Sequence, residues 1–215
     1  VFSQDMGAQL KSQDEGIDKD QFDDLCYHLI VKDDDTGEIV GYSRIITSDI
    51  AQQLGGFYTQ TEFDLSHILV SGKTYMEIGR TCVASDFRSG AVIALLWARL
   101  GQFMVENNID YLMGCASIPF TEGGAKALAV INHLRDKFFT KENQRVTPKH
   151  PLPQLHTDLN GKNLLPPLLK AYLRIGCKVC GEAHWDKDFN VADVVVLLDR
   201  REINQRYLKH FLRAA

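Results

Sequence analysis

Residues 75–104 read YMEIGRTCVASDFRSGAVIALLWARLGQFM. TYMEIGRTCV predicts a strand, an Arg-Ser-Gly turn follows at 88–90, and Ala91 to Val105 predicts a helix apolar nearly all round, with Arg99, Gln102 and Glu106 as a thin polar edge. Such a helix is expected to lie buried against a sheet. A strand that turns tightly into a helix presents backbone N–H groups and the positive end of the helix dipole, which together suit an anion. Gly90 permits close backbone approach and Arg88 adds a charge, although strand-to-helix turns also occur for packing alone.

Outward from this stretch, the chain alternates strand and helix signals. The first 25 residues read as helix and loop. HLIVKD and IVGYSRIIT predict a hairpin closed by DDDTGE. Asp49 to Leu54 predicts a short helix ended by Gly55 and Gly56, and EFDLSHIL a further helical piece. DYLMGCAS predicts a strand and GGAKALAVINHLRDKFF a helix packed on it. Residues 140–163 are polar, hold three prolines and have no period, so they read as a long loop or insertion. NLLPPLLKAYLRIG predicts a helix around Pro166 and Pro167, ended by Gly176. CKVCGEAHW and VADVVVLL predict two strands, and REINQRYLKHFL a final helix with Ile203, Tyr207 and Phe211 on one stripe. This order defines an α/β (α+β) protein with a mixed, mostly antiparallel sheet flanked by helices.

The 215 residues suffice for one full-sized core, so residues 1–215 are expected to form a single domain. The chain begins at Val1 without an initiator methionine, so an N-terminal element is expected to be missing. The longest apolar run, Gly90 to Ala98, falls far short of the roughly 20 residues of a spanning helix. The five cysteines, at 26, 82, 115, 177 and 180, lie mostly in apolar stretches, which suits buried thiols in a reducing compartment. Cys177 and Cys180 have metal-ligand spacing but no second pair, and on a strand they point to opposite faces. No metal site is expected. Charge is uneven: residues 1–40 carry eleven acidic and three basic side chains, the remainder 17 and 21. With no basic stripe interleaved with aromatics, nucleic acid is not expected as a partner.

Across nearly its whole length the chain resembles the GNAT acyltransferases. In that family the turn after the central strand holds the pantetheine phosphates of an acyl donor, with the pattern Arg or Gln, two residues, Gly, one residue, Gly or Ala. Here, with Arg88 in the Arg slot, Ala91 and Ile93 occupy the small-residue slots. With Gly90 as the first Gly, Val92 takes the second slot and Phe87 replaces the Arg. Either register puts a β-branched residue where close backbone approach is expected.

QDEGIDKDQFDDLCYHLIV, EIGRTCV, AVIALLW and LPPLLKAYLRIG resemble the ornithine N-acyltransferases more closely, from about Val1 to Leu212. The resemblance implies transfer of a 3-hydroxyacyl group from acyl carrier protein to the α-amine of ornithine, forming lyso-ornithine lipid. It implies a phosphopantetheine thioester, or acyl-coenzyme A, as donor substrate, and no bound cofactor. A carrier-protein pantetheine bears one phosphodiester where coenzyme A bears more phosphate, so a narrower anion site suffices. The acyl-homoserine lactone synthases share the outline, with an Asp-x-x-Asp pair, an Arg on the second hairpin strand and a Glu-x-x-Arg. Asp20, Asp23, Arg44, Glu77 and Arg80 stand at matching places. For an amino-acid acceptor, carboxylates hold or deprotonate the ammonium and an Arg fork binds the α-carboxylate.

Amide formation from a thioester needs a neutral amine, a polarised carbonyl and a protonated thiolate. Glu77 is the candidate base, directly or through water, and Tyr172 the candidate acid, four residues before Gly176. Backbone N–H groups around Thr81, Cys82 and Val83 are candidates for the oxyanion, and Arg88, Ser89, Gly90 and Ala91 for the donor. Glu77 with Arg80 also fits a structural ion pair, and Tyr172 a core aromatic. Arg135, Lys137, Lys141, Arg145 and Lys149 form a basic stretch suited to docking an acidic carrier protein. Arg200, Arg201, Arg206, Lys209 and Arg213 on the final helix suit either packing or contact with anionic lipid, so the expected location is cytoplasmic with peripheral contact at the inner membrane. A lactone synthase and a non-catalytic, haemolysin-like lipid-binding protein are the competing readings.

Overall fold

The computed structural model describes residues 17–154 and 156–203. Strands β1 (Tyr27–Lys32) and β2 (Ile39–Thr47) form the expected antiparallel hairpin. Asp33 organises its turn, accepting hydrogen bonds from the N–H groups of Asp35 and Thr36 at 3.2 and 2.9 Å. Helix α1 (Ser48–Leu54) ends at Gly55, whose φ of 80° makes a left-handed C-cap. After a single 3₁₀ turn at Tyr58–Thr61 comes β3 (Phe63–Asp64), then β4 (Tyr75–Val83), α2 (Ala91–Glu106), β5 (Tyr111–Pro119) and α3 (Ala125–Lys137). Strand β6 (Thr147–Pro148), helix α4 (Pro167–Ile175) and strands β7 (Lys178–Val179), β8 (His184–Asp186) and β9 (Val191–Asp199) complete the order.

The sheet runs β1-β2-β4-β5-β9-β7, with β8 also on β9. Every pair is antiparallel except β4 with β5. Alternation divides the side chains between two cores. Ile45, Met76, Ile78, Leu112, Ala116, Val194 and Val196 face α2, α3 and α4. Ile46, Tyr75, Met113, Val195 and Leu197 face α1 and the chain around Phe57, Phe63 and Ile68. Cys177 belongs to the helix-side core and Cys180 to the other, as alternation along a strand requires.

Three elements differ from the sequence reading. EFDLSHIL is not helical: Phe63 and Asp64 pair with Pro148 and Thr147, and Phe63, Leu65 and Ile68 pack as an irregular segment over the sheet. CKVCGEAHW is two short strands rather than one, broken at Gly181, whose φ is 112°. Helix α2 buries Val92, Leu96, Trp97, Leu100 and Met104 but leaves Leu95 and Val105 exposed, because it covers the sheet from one side. The final helix lies largely outside the described residues, Arg206, Lys209 and Arg213 included.

Candidate active site

Strands β4 and β5 are paired only from Tyr75 with Tyr111 to Glu77 with Met113. Beyond that point they part, and both continue for several residues. The divergence starts where Gly114 crosses the Ile78 carbonyl, and a Cβ at 114 would lie 2.3 Å from that oxygen. Backbone alone fits at this crossing.

The fork opens a cavity of about 640 Å³ lined from both faces of the sheet. On the helix side stand Ile78, Ile93, Ala116, Leu168, Leu169 and Tyr172; on the other stand Arg44, Tyr58, Glu62, Glu77, Arg80 and Asp193. One end is apolar and the other is charged, as suits a ligand with a hydrocarbon part and an ionic part.

A β-bulge assembles the charged end. Tyr42 pairs with Cys82 but Arg44 with Gly79, so Arg80 and Thr81 together oppose Ser43. Arg80 takes a left-handed φ of 52°. Without the bulge, alternation would send Glu77 and Arg80 to opposite faces. With it, the Arg80 guanidinium stacks 5.3 Å from the Tyr58 ring centroid, on the side where the Tyr58 N–H meets Glu77. Thr81 turns the other way, and its hydroxyl lies 2.9 Å from that of Ser43.

Glu77 is 2 % exposed and lines the cavity. Its Oε2 accepts the Tyr58 N–H at 2.7 Å and its Oε1 the Thr59 N–H at 2.7 Å, together with the Thr59 hydroxyl. Burial lifts its pKa; the hydrogen bonds from Thr59 and Tyr58 and the nearby Arg44 charge oppose that, and the net shift is upward. The carboxylate therefore anchors the 3₁₀ turn as well as facing the cavity, a duty the sequence did not disclose.

The structure brings Asp20, Asp23, Arg44 and Arg80 together. Arg44 Nη1 donates to Asp20 at 2.7 Å and to Asp23 at 2.9 Å, and Arg80 approaches Asp20 at 3.4 Å and Asp18 at 3.0 Å. Burial disfavours the charged Arg44, but its two carboxylate partners prevail and hold its pKa above the ordinary value. Arg44 and Arg80 line the cavity, whereas Asp20 and Asp23 do not. In this arrangement the two aspartates pair with the arginines that line the cavity. Arg44 Nε is buried without a hydrogen-bond partner among the described residues.

Tyr172, on α4, is 3 % exposed, sits edge-to-face with Trp97 and lines the cavity beside Thr81. Burial drives its pKa well up, so the phenol keeps its proton across the neutral range. Thr81, Cys82 and Val83 all line the cavity.

The turn between β4 and α2 is longer than a simple Arg-Ser-Gly reversal. A 3₁₀ turn at Ser85–Phe87 precedes it, and Gly90, at φ 104°, is the left-handed residue that starts α2. Gly90 has no side chain with which to cap α2, and Arg88 Nε donates to the Val83 carbonyl at 3.0 Å. Arg88, Gly90 and Ile93 reach the cavity; Ser89 and Ala91 do not. Val92 points away into Gly41, where a Cβ would lie 2.4 Å from Val92 Cγ1. The missing small residue of the helix is thus matched by a glycine on β2.

Among the basic residues, Arg135 is held bidentately by Glu182 at 2.8 Å, Lys149 donates to the Gln60 carbonyl at 2.7 Å, and the Arg145 guanidinium stacks over Phe139. Lys137 ends α3 and Lys141 precedes the 3₁₀ turn at Glu142–Gln144. None of the five lines the cavity.

The sequence reading missed Glu62 and Asp193. Burial lifts Glu62 to about 8, with the charges of Asp193 and Asp186 adding to it. Burial likewise lifts Asp193 to about 7, against a Ser117 hydroxyl that donates at 2.6 Å. An aspartate inside the apolar run VADVVVLL was the available signal.

This forked sheet, with an apolar-to-charged cavity through it, defines a GNAT-fold acyltransferase. The acetyltransferase (GNAT) domain family matches residues 1–98. The chain is 32% identical to the L-ornithine N(alpha)-acyltransferase of Rhizobium meliloti over 98% of its own length and 77% of that protein. It is 31% identical to the protein of the same name from Agrobacterium fabrum, over 98% and 78%. It belongs to the L-ornithine N(alpha)-acyltransferase family. Solved structures share the fold: the acyl-homoserine lactone synthase BjaI with SAM and isopentyl-CoA matches at a TM-score of 0.54 and 13% identity, over 98% of this chain and 74% of that one. TofI, in a ternary complex with an inhibitor and MTA, matches at 0.54 and 15%, over 100% and 86%.

Proposed function

We propose that the protein transfers a 3-hydroxyacyl group from the phosphopantetheine thioester of acyl carrier protein to the α-amine of ornithine, releasing lyso-ornithine lipid. The observation that carries this reading is the two-ended cavity: hydrocarbon side chains on the helix face, paired charges on the other, and the fork between them. Membership of the family supports ornithine as acceptor. The thioester enters at the fork, where backbone past Glu77 has left its β5 partner and amides near Thr81 to Val83 can receive the oxyanion. The start of α2 at Gly90 and Arg88 receive the single phosphodiester.

On the charged face, Arg44 and Arg80 hold the α-carboxylate, and Arg44 Nε supplies an unused donor. Glu77 takes the amine proton through a bridging water, since each of its oxygens already accepts one backbone N–H. The neutral amine attacks the carbonyl carbon, the C–S bond breaks, Tyr172 gives its proton to the departing thiolate, and the extra proton on the new amide nitrogen passes through water to restore the phenol. No helix among the described residues is long and apolar enough to cross a membrane. The basic segment from Arg135 to Lys149 offers a docking face for an acidic carrier protein, separate from the cavity.

The test is incubation with ornithine and either 3-hydroxyacyl carrier protein or the matching coenzyme A thioester. Faster thiol release from the carrier protein is expected. Equal rates from both donors would remove the carrier protein from this reading.

A further inference from the structure

Ornithine carries two amines, and a family that acylates the α-amine must disarm the other. On the charged face of the cavity, oxygens of Glu62, Asp186 and Asp193 lie within 4.8 Å of one another. Glu62 and Asp193 line the cavity and are 6 % and 3 % exposed. Cys115 Sγ stands 3.4 Å from Glu62, which Tyr58 also hydrogen-bonds; Ser117 donates to Asp193, which feels the Arg80 charge. Two buried carboxyls facing a cavity are costly unless a cation joins them. The same cavity carries a complementary sign. Arg44, whose Nε is buried and unpartnered among the described residues, lines it beside Arg80. Acids and guanidiniums in one space match a zwitterion bearing an additional ammonium.

We propose that Glu62 and Asp193, backed by Asp186, hold the side-chain ammonium of the acceptor and thereby decide which of its two amines is acylated. The inference rests on the ornithine reading above. An ammonium between carboxylates stays protonated and has no lone pair for attack, so the pair selects the substrate and suppresses acylation at its far end. These are specificity residues: proton removal from the α-amine stays with Glu77.

The test compares ornithine with norvaline, which has the same carbon chain and no side-chain amine, in wild type, Glu62→Gln and Asp193→Asn. Wild type is expected to favour ornithine at least about 10-fold in kcat/KM, and each variant to lose about 10- to 100-fold on ornithine while keeping its rate on norvaline. Fragment-ion analysis should show side-chain-acylated ornithine rising in the variants. Titration calorimetry with the two amino acids reads the same contrast without turnover. If wild type acylates nothing, the proposed function falls and calorimetry still decides this inference. Equal loss on both acceptors, no loss on either, or dependence of activity on a cation removable by EDTA would each overturn it.

Discussion

Gly114 on β5 passes so close to Ile78 on β4 that a Cβ would stand 2.3 Å from the Ile78 carbonyl oxygen. This contact sits where the two strands stop pairing, so it fixes the root of the fork. Gly114→Ala must push the strands apart through a backbone contact that cannot rotate away. A loss of about 1–3 kcal/mol is expected, read as a lower denaturant midpoint with unchanged slope. Acyl transfer should fall further than stability, because the cavity walls move with the strands.

In the proposed reaction Tyr172 protonates the leaving thiolate. Tyr172→Phe keeps the edge-to-face contact with Trp97 and removes only the hydroxyl. A fall of about 100-fold in kcat with little change in KM is expected. A purely structural tyrosine would respond equally to all donors. A thioester of a more acidic thiol, which needs no proton to leave, should recover most of the rate in the variant.

Glu77 anchors the Tyr58–Thr59 backbone and faces the cavity. Glu77→Gln replaces one accepting oxygen with an NH₂ that confronts a backbone N–H, costing about 1–3 kcal/mol. If the carboxylate is also the base, kcat falls by about 100-fold or more, and the acidic limb of the pH–rate profile disappears. Thr59→Val separates the two duties: it loses the hydroxyl bond and should cost stability while leaving that limb in place.

Stability should fall as pH rises from about 5 to 8. Glu62 at about 8 and Asp193 at about 7 bind protons more tightly in the folded chain than in the unfolded one, where they titrate near 4.5 and 3.8. Between those limits the folded state holds more protons, so their contribution is fully present below the unfolded values and is lost as pH climbs through the folded ones. Asp186 on β8 adds to the upward shift; Cys115 and Ser117 on β5, Arg80 on β4 and Tyr58 oppose it. Glu77, also lifted by burial, acts in the same direction. Thermal melts across this range should slope downward, and Asp193→Asn should flatten them. Added ornithine should raise the melting temperature more at pH 8 than at pH 6.

Much of the scaffold was legible in the sequence because periodicity reports local structure. IVGYSRIIT, TYMEIGRTCV and DYLMGCAS are strands, and Ala91 onward is a helix, as their spacing requires. EFDLSHIL misled because Phe63, Leu65, Ile68 and Leu69 have near-helical spacing but are held by a two-residue ladder to Thr147 and Pro148, far along the chain. The bulge at Arg80 was also hidden: alternation alone separates Glu77 from Arg80, and only the register against Ser43 reunites them. Asp20, Asp23 and Arg44 were legible as members of one site, but the ion pairs between them are a property of packing. Glu62 and Asp193 come together from the segment before β3 and from β9, and no local pattern joins them.

The central claim is that this cavity joins an acyl thioester to the α-amine of ornithine. The most direct measurement supplies ornithine labelled with ¹⁵N at the α-position, together with 3-hydroxyacyl carrier protein, and reads the product by tandem mass spectrometry. An amide fragment carrying the acyl chain and the label is expected, with none from a Glu77→Gln, Tyr172→Phe double variant. Acyl chain on the unlabelled nitrogen, or no acylated amino acid from either donor, would contradict the account.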